Sequence, residues 1–347
     1  MILTGMRDLQ WRGRRFFTAA LATALVFAIT LVLSGFLESF NARADGSLRA
    51  LGGTGFVVRD GAAGPFRSPA PMPASTATRV AALPGVTAAS PLITVPDTLP
   101  GRSPTPVLLI GYALGGLGGP PVSAGRAAAR SGEAVLDASI GRRVGDVFVL
   151  GSHRFVVVGL THHQKIGAIP NMFVPLGDAQ AVVFAGQPVA TTVIVRGEPQ
   201  SLPTGFGFAT LASAKRDLLR PLSDTIQSIK MFRLLLWLVA GAIVGSVLYL
   251  SALDRARDMA VFKATGVATG PLLGSLAIQS VLVSAAASVL AIGIAHVIAP
   301  RFPAPVALTA RITALLPVVA IGLGLLGSAA GLRRAVTVEP ALAFGGQ

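Results

Sequence analysis

Four long apolar runs decide what this chain can fold into. The first, Phe16 to Leu37, reads FFTAALATALVFAITLVLSGFL. As a helix it is about 33 Å long, enough to cross the hydrocarbon core of a bilayer. Phe232 to Leu253, Leu272 to Ala299 and Ile312 to Ala330 are the other three. Between the first and second runs, residues 40–230 contain nothing long and apolar enough to span. Composition agrees with a membrane protein. Apolar residues make up 52% and charged residues 13%, where soluble domains carry roughly a quarter charged. The expected fold is therefore an integral membrane α-helical protein with four transmembrane helices and an extracytoplasmic α+β domain between helices 1 and 2.

Charge placement sets the expected topology. Arg7, Arg12, Arg14 and Arg15 precede the first run, and Glu38 follows it. Basic flanks stay in the cytoplasm, so the first run exits outward. Arg255, Arg257 and Lys263 follow the second run, and Arg333 and Arg334 follow the fourth. The short outer loop carries Arg301 and Arg311. This bias places both termini inside and residues 40–230 outside, with a bacterial cytoplasmic membrane as the expected location. Ala42-Arg43-Ala44 has the form of a signal-peptidase site and Arg14-Arg15 that of a twin-arginine signal. The apolar run exceeds the roughly 7 to 15 residues of a signal-peptide core, which favours a retained helix. Ahead of it, Leu3, Met6 and Leu9 lie at helical spacing beside arginines, as in an amphipathic helix lying on the inner face of the membrane.

The net charge of +14 does not point to nucleic acid. The basic residues are scattered and no Lys/Arg block interleaves with aromatics. The absence of cysteine excludes disulfides, zinc–thiolate sites and cysteine nucleophiles, and leaves the redox compartment open.

Residues 40–230 alternate short strand-like and helix-like segments, punctuated by Gly and Pro. Strands are expected at Phe56–Arg59, Val86–Ala89, Pro106–Ile110, Glu133–Asp137, Val147–Leu150, Phe155–Gly159 and Thr191–Arg196. Helices are expected at Ser75–Leu83, Ala138–Arg143, Leu176–Phe184 and Ser213–Leu219. Gly61–Pro73 and Pro96–Pro106 read as loops.

Few residues could carry chemistry. No segment matches G-x-x-x-x-G-K-[ST], so any ATP must be bound by another polypeptide. His162-His163 is the only histidine pair, and adjacent residues of an extended segment point to opposite sides. No carboxylate lies near it in sequence, so no metal site is expected. His296 stands about one turn from the outer end of the third run, where a structural role outweighs a functional one. No G-x-S-x-G or other hydrolase pattern occurs. No catalytic residue and no cofactor are expected in this chain. Gly241-x-x-x-Gly245 and Gly327-x-x-x-Gly331 lie in the second and fourth runs. That spacing lets helix backbones approach closely, for packing within the helix set or for a dimer seam.

The most informative segment follows the second run: LDRARDMAVFKATGVATGPLL. It opens with alternating charges at Asp254, Arg255, Arg257 and Asp258. Leu253, Ala256, Met259 and Phe262 recur at i, i+3 spacing, giving one apolar face. Gly266 suits a helix C-cap. A short amphipathic helix at the inner membrane face follows. It can rest on lipid, or dock in a groove on a cytoplasmic partner with its arginines on acidic residues there.

Asp254-Arg255-Ala256-Arg257-Asp258-Met259-Ala260-Val261-Phe262-Lys263-Ala264-Thr265-Gly266 resembles the segment after the second span in FtsX-like ABC permeases, the family of MacB, LolC/LolE and DevC. The tail, with Arg333-Arg334 and Val338-Glu339-Pro340-Ala341-Leu342, is similar too. Gly132-Glu133-Ala134-Val135-Leu136, Val144-Gly145-Asp146 and Phe155–Gly159 look like the MacB-type periplasmic core domain. The order of one span, a large outer domain and three spans is also the family's.

The resemblance implies three parts. Residues 1–39 hold the N-terminal amphipathic helix and first span, 40–230 the MacB-like core domain, and 231–347 the FtsX-like permease domain with coupling helix 254–266. It implies a permease subunit that forms a dimer with a second copy or a paralogue and pairs with a separate cytoplasmic ABC ATPase. Arg255, Arg257, Asp258, Met259, Phe262 and Lys263 would face that ATPase, whose ATP-driven closure moves the outer domain for export or extrusion. Membrane lipid and an extracytoplasmic accessory protein are further expected partners. The chain differs from MacB in lacking a fused ATPase. The alternative is a membrane-anchored extracytoplasmic receptor or scaffold without an ATPase. Its cytoplasmic pieces are too short to hold a signalling unit, which counts against that reading. The substrate stays open among lipid, lipoprotein, peptide, drug and none.

Overall fold

The computed structural model describes residues 13–66, 70–101, 104–162, 165–166, 169–254, 269–302 and 306–336. The chain divides into two units, residues 1–39 with 224–347, and residues 40–223. Helix α1 (Gly13–Ala50) contributes to both. The sequence expectation ended the first span at Leu37, yet the helix continues thirteen residues further. The reason is packing: Ala44 and Leu48, on its last turns, are buried in the core of the second unit.

The 40–223 unit is α+β. Its strands are β1 (Gly55–Arg59), β2 (Met72–Pro73), β3 (Val86–Leu99), β4 (Thr105–Tyr112), β5 (Ala124–Gly125), β6 (Glu133–Asp137), β7 (Val147–Leu150), β8 (His153–Thr161), β9 (Lys165–Ile166), β10 (Ile169–Pro175), β11 (Val189–Ala190), β12 (Thr192–Gly197) and β13 (Phe206–Thr210). Its helices are α2 (Thr76–Ala81), α3 (Leu176–Phe184) and α4 (Leu211–Leu219). The main sheet runs β13-β1-β12-β3-β4-β10-β6-β8-β5, with β7 on β8 and β9 on β10, while β2 and β11 pair separately. β10 lies parallel to β4, and β6 parallel to β8.

The central strands are buried on both faces, which explains their unbroken apolar runs. Leu108 and Ile110 of β4 join Val135, Phe173, Ile194 and the end of α1 in one core cluster. Val107 and Leu109, their alternates, join Leu136, Phe155, Met172 and Ala179 of α3 in another. A smaller cluster seats α2, through Ala77 and Val80, on Val57, Val193 and Val195.

The expected elements are largely present, and the differences have physical causes. The expected Pro96–Pro106 loop begins and ends in strand. β3 runs to Leu99 and β4 starts at Thr105, and Pro96 pairs across to Leu108 while Thr98 pairs across to Pro106. Both prolines lie where the strand has one neighbour. β12 pairs β3 only up to Leu92, and β10 pairs β4 only from Leu108. A missing N–H is tolerated there. β10 has no counterpart among the expected strands because Pro170 and Pro175 frame it, leaving Asn-Met-Phe-Val as its uninterrupted centre. The expected Ala138–Arg143 helix is a single 3-10 turn, Ala138–Ile140, stopped by Gly141 at φ 81°. Met72–Pro73, expected within a loop, pairs with Val189–Ala190.

The other unit contains the first part of α1 with α5 (Ser223–Asp254), α6 (Thr269–Ile298) and α7 (Ala310–Val336). Among the described residues, three helical stretches are long and apolar enough to cross a membrane: Phe17–Ala50, Leu211–Ser246 and Ala277–Arg301. A fourth apolar stretch, Ala310–Leu326, is shorter. That is one span fewer than the four expected from sequence. The residues 1–12 that hold the expected N-terminal amphipathic helix lie outside the described residues.

Phe173 is 1% exposed and central to its cluster. Phe173→Ala should destabilise the 40–223 unit by about 3–5 kcal/mol, read as a lower thermal unfolding midpoint by circular dichroism.

Candidate functional site

The helix set of the first unit is held by small side chains on α6. Ala287, Ala291 and Ala295 recur every fourth residue and are fully buried. They share a cluster with Ala24, Phe27, Ala28, Leu31 and Val32 of α1, Ala240 of α5, and Leu316 and Ala320 of α7. Four-residue spacing places them on one helical stripe, and small residues there let backbones approach where the hydrophobic effect supplies no drive between helices. Phe27 of α1 and Trp237 of α5 meet with ring centroids 5.4 Å apart and tilted by 50°. The segment after α6 is tied back to α1, where the Gly35 carbonyl accepts from Ala307 N at 3.0 Å. A Cβ at Gly35 would lie 2.6 Å from a Val306 methyl, so that seam requires glycine.

Gly324 of α7 is the tightest seam between α6 and α7. A Cβ there would meet the hydroxyls of both Ser284 and Ser280, the latter at 2.6 Å. Ser280 and Ser284 Oγ, the Gln279 amide and Thr23 Oγ1 are buried and have no hydrogen-bond partner among the described residues. Other hydroxyls in the set satisfy themselves on their own helix, as Thr30 does on the Val26 carbonyl and Ser34 on Thr30. The apolar cluster is thus followed along α6, toward its start, by a polar layer. In a water-poor interior unpaired polar groups are costly, so helix packing is least committed there.

Of the glycines expected from sequence, Gly241 stands on α5 with Leu323 of α7 at 3.8 Å from a would-be Cβ. Gly245 lies one turn on. Gly327 and Gly331 lie in α7. The close seams at Gly324 and Gly35, and the alanine stripe of α6, were not singled out from sequence. Their signal was the four-residue recurrence of small residues, Ser280, Ser284 and Ser288, then Ala287, Ala291 and Ala295.

The expected coupling residues Arg255, Arg257, Asp258, Met259, Phe262 and Lys263 lie outside the described residues. Their position in the chain is bounded, since α5 ends at Asp254 and α6 begins at Thr269. His163 is also outside them. His162 is exposed, its Nδ1 3.3 Å from Ser123 Oγ. His296, on the last turn of α6, has Nδ1 2.8 Å from the Ile292 carbonyl.

In the 40–223 unit the strongest electrostatic feature is Glu133 at the start of β6. Its side chain is 4% exposed. It accepts from Arg126 twice, at 2.5 and 2.7 Å, from Arg130 Nε at 2.9 Å and from Ala129 N at 2.9 Å. The Arg126 guanidinium, with the Ala129 amide, holds the Glu133 carboxyl far below the usual carboxylate range. Beside it, buried Asp178 accepts from Ser131 Oγ and from Gly132 N at 2.9 Å. Two buried carboxylates therefore pin the segment 126–132. Burial raises the Tyr112 phenol, whose hydroxyl reaches the Ala128 carbonyl of the same segment at 3.5 Å.

Two outcomes are expected. Gly324→Leu should lower the thermal stability of the purified chain in detergent, whereas Gly322→Ala, with open space around it, should leave it nearly unchanged. The depressed Glu133 carboxyl stabilises the fold when ionised. Wild type should exceed Glu133→Gln in stability most fully above about pH 5, and the gap should shrink as pH falls below the ordinary glutamate value of about 4.3, measured by urea unfolding across pH.

Comparison with known proteins places this architecture. Residues 16–206 match the MacB-like periplasmic core domain, and residues 230–340 the FtsX-like permease C-terminal domain. The uncharacterized ABC transporter permease Rv0072 of Mycobacterium tuberculosis is 42% identical over 348 aligned residues, covering 100% of both chains. The permeases Rv2563 of M. tuberculosis and Mb2592 of Mycobacterium bovis are 41% identical with the same coverage. The periplasmic region of MacB from Actinobacillus actinomycetemcomitans aligns over 49% of this chain and 94% of its own, at 15% identity and a TM-score of 0.36. Apolar spanning helices, a MacB-like α+β domain and relatives matched end to end make this chain a member of the FtsX-like ABC transporter permease family, embedded in the membrane.

Proposed function

We propose that this chain is the permease half of an ATP-driven export or mechanotransmission complex of the bacterial cytoplasmic membrane. It crosses the bilayer four times, with both termini inside and residues 40–223 outside. ATP is bound and hydrolysed by a separate cytoplasmic ATPase, and this chain holds no catalytic residue and no cofactor. A second permease copy or a paralogue completes the dimer, within membrane lipid. The family itself implies the ATPase partner.

One observation carries the reading. The segment Asp254–Gly266, with alternating charges and one apolar face, joins the second and third spanning helices, α5 and α6. A segment of that pattern between two spans would receive motion from a cytoplasmic partner and deliver it to both spans at once. Arg255, Arg257, Asp258 and Lys263 supply the polar contacts, and Met259 and Phe262 the apolar ones. The polar layer at Gln279, Ser280 and Ser284 begins within three turns of the start of α6. It gives the helix set a place to repack at little loss of packing free energy.

The reading predicts that Arg257→Glu with Lys263→Glu lowers permease-stimulated ATPase activity about tenfold in a reconstituted complex, the effect of ~1.4 kcal/mol of lost docking free energy. Unchanged stimulation would overturn it.

A further inference from the structure

The helix set carries a cationic rim at one end, and three contacts bring that end together. Arg233 of α5 donates from Nη1 to Ser34 Oγ of α1 at 3.4 Å. Ala307 N, between α6 and α7, donates to the carbonyl of the next residue of α1, Gly35. The Thr309 carbonyl accepts from Ile312 N and Thr313 N and so starts α7, which puts Arg311 on its first turn. Arg301 stands on the 3-10 turn that follows α6, with Nη1 on the Val297 carbonyl. Arg233, Arg301 and Arg311 therefore share one end of the set, the end where α6 is joined to α7.

None of the three has a carboxylate partner among the described residues. Arg301 and Arg311 are exposed and Arg233 is half-buried. Each is flanked by exposed apolar side chains: Phe232 and Leu234 beside Arg233, Val297 and Phe302 beside Arg301, and Leu315 one turn from Arg311. In a membrane-embedded chain such surfaces meet lipid. Cation and apolar surface thus adjoin at the level where an arginine stem lies along the acyl chains and its guanidinium reaches the headgroups. The rim also has a cost. Arginine beside a span favours keeping that end in the cytoplasm, and the proposed topology sends this end outward. A binding role at the membrane surface offsets that cost.

We propose that this rim binds the phosphate of anionic phospholipids in the leaflet it faces. A guanidinium presents a planar fork that matches two phosphate oxygens, and Arg301 keeps donors beyond the one on Val297. Zwitterionic headgroups also carry phosphate, but their ammonium group opposes the attraction, so the rim selects net negative charge. Lipid, rather than an acidic protein, is the occupant because apolar side chains of spanning helices surround these arginines. A protein would have to strip lipid from them to reach the charge. The inference does not depend on ATPase coupling, and its test does not depend on which side of the membrane this end faces.

The chain has no native cysteine, so Leu315→Cys can carry a bimane fluorophore beside the rim. The full chain is placed in nanodiscs of equal parts phosphatidylglycerol and phosphatidylcholine, with a quenching nitroxide on the upper acyl chain of one lipid or the other. Quenching should show phosphatidylglycerol enriched about fivefold over phosphatidylcholine next to the label, the effect of one basic residue at an anionic surface. Arg301→Gln with Arg311→Gln should bring the two lipids close to parity. Arg301→Lys with Arg311→Lys, which keeps the charge, should retain most of the enrichment, and Arg154→Gln in the other unit should retain all of it. Equal quenching by the two lipids in the otherwise unaltered chain, enrichment that survives the glutamine pair, or parity in the lysine pair would overturn the proposal. So would loss of the enrichment in inorganic phosphate but not in chloride of the same ionic strength, which would mark a site for a free anion.

Discussion

The constraint on which this structure depends is that a backbone crossing a bilayer must pair its own N–H and C=O groups. Helices do so within one segment, whereas an open sheet cannot. The consequence is a strict division of labour along the sequence. Apolar residues in long runs form α1, α5, α6 and α7. The sheet is confined to residues 55–210. Inside the helix set, lipid is as apolar as the side chains, so close backbone approach replaces hydrophobic burial as the source of cohesion. The buried alanines of α6 and the glycines at 35 and 324 are the material form of that requirement.

Cohesion is uneven. Ala287 and Ala291 lie in a close-packed, mainly apolar cluster beside buried Ser288, whose hydroxyl donates to the Ala285 carbonyl, while Thr23, Gln279, Ser280 and Ser284 are buried with no hydrogen-bond partner among the described residues. A chain with only a static role would gain by replacing these with alanine and leucine. Their presence fits a helix set that changes its packing, as the proposed function requires. The 40–223 unit presents the opposite character. Its central strands are buried on both faces, and Glu133 and Asp178 fix the 126–132 segment with direct hydrogen bonds. Under the proposed function, the 40–223 unit is the part that moves as a body.

Much of this was legible in the sequence. The apolar runs marked α1, α5, α6 and α7 because length and hydropathy alone identify a spanning helix. Leu176–Phe184 and Val147–Leu150 were found at their observed bounds, since their flanking turns carry proline or glycine. The first span was read short because its continuation carries Glu38, Arg43 and Asp45. Their solvated sides masked the buried stripe at Ala44 and Leu48. β10 was missed because two prolines frame it, and the β3–β4 ribbon because proline was taken to end a strand that here has a free side. The glycine pairs at 241/245 and 327/331 drew the reading toward G-x-x-x-G. The tightest α6–α7 contact instead pairs one glycine, Gly324, with two serines, a pattern with less contrast against its background.

The central claim is that residues 254–266 and residues 40–223 lie on opposite sides of the membrane. The chain has no native cysteine, so single cysteines report cleanly. Ser152→Cys and Thr265→Cys variants should be treated in intact cells with a membrane-impermeant maleimide. The account predicts labelling at 152 in intact cells and at 265 only after the membrane is opened. Labelling of both in intact cells, or of 265 alone, would contradict it.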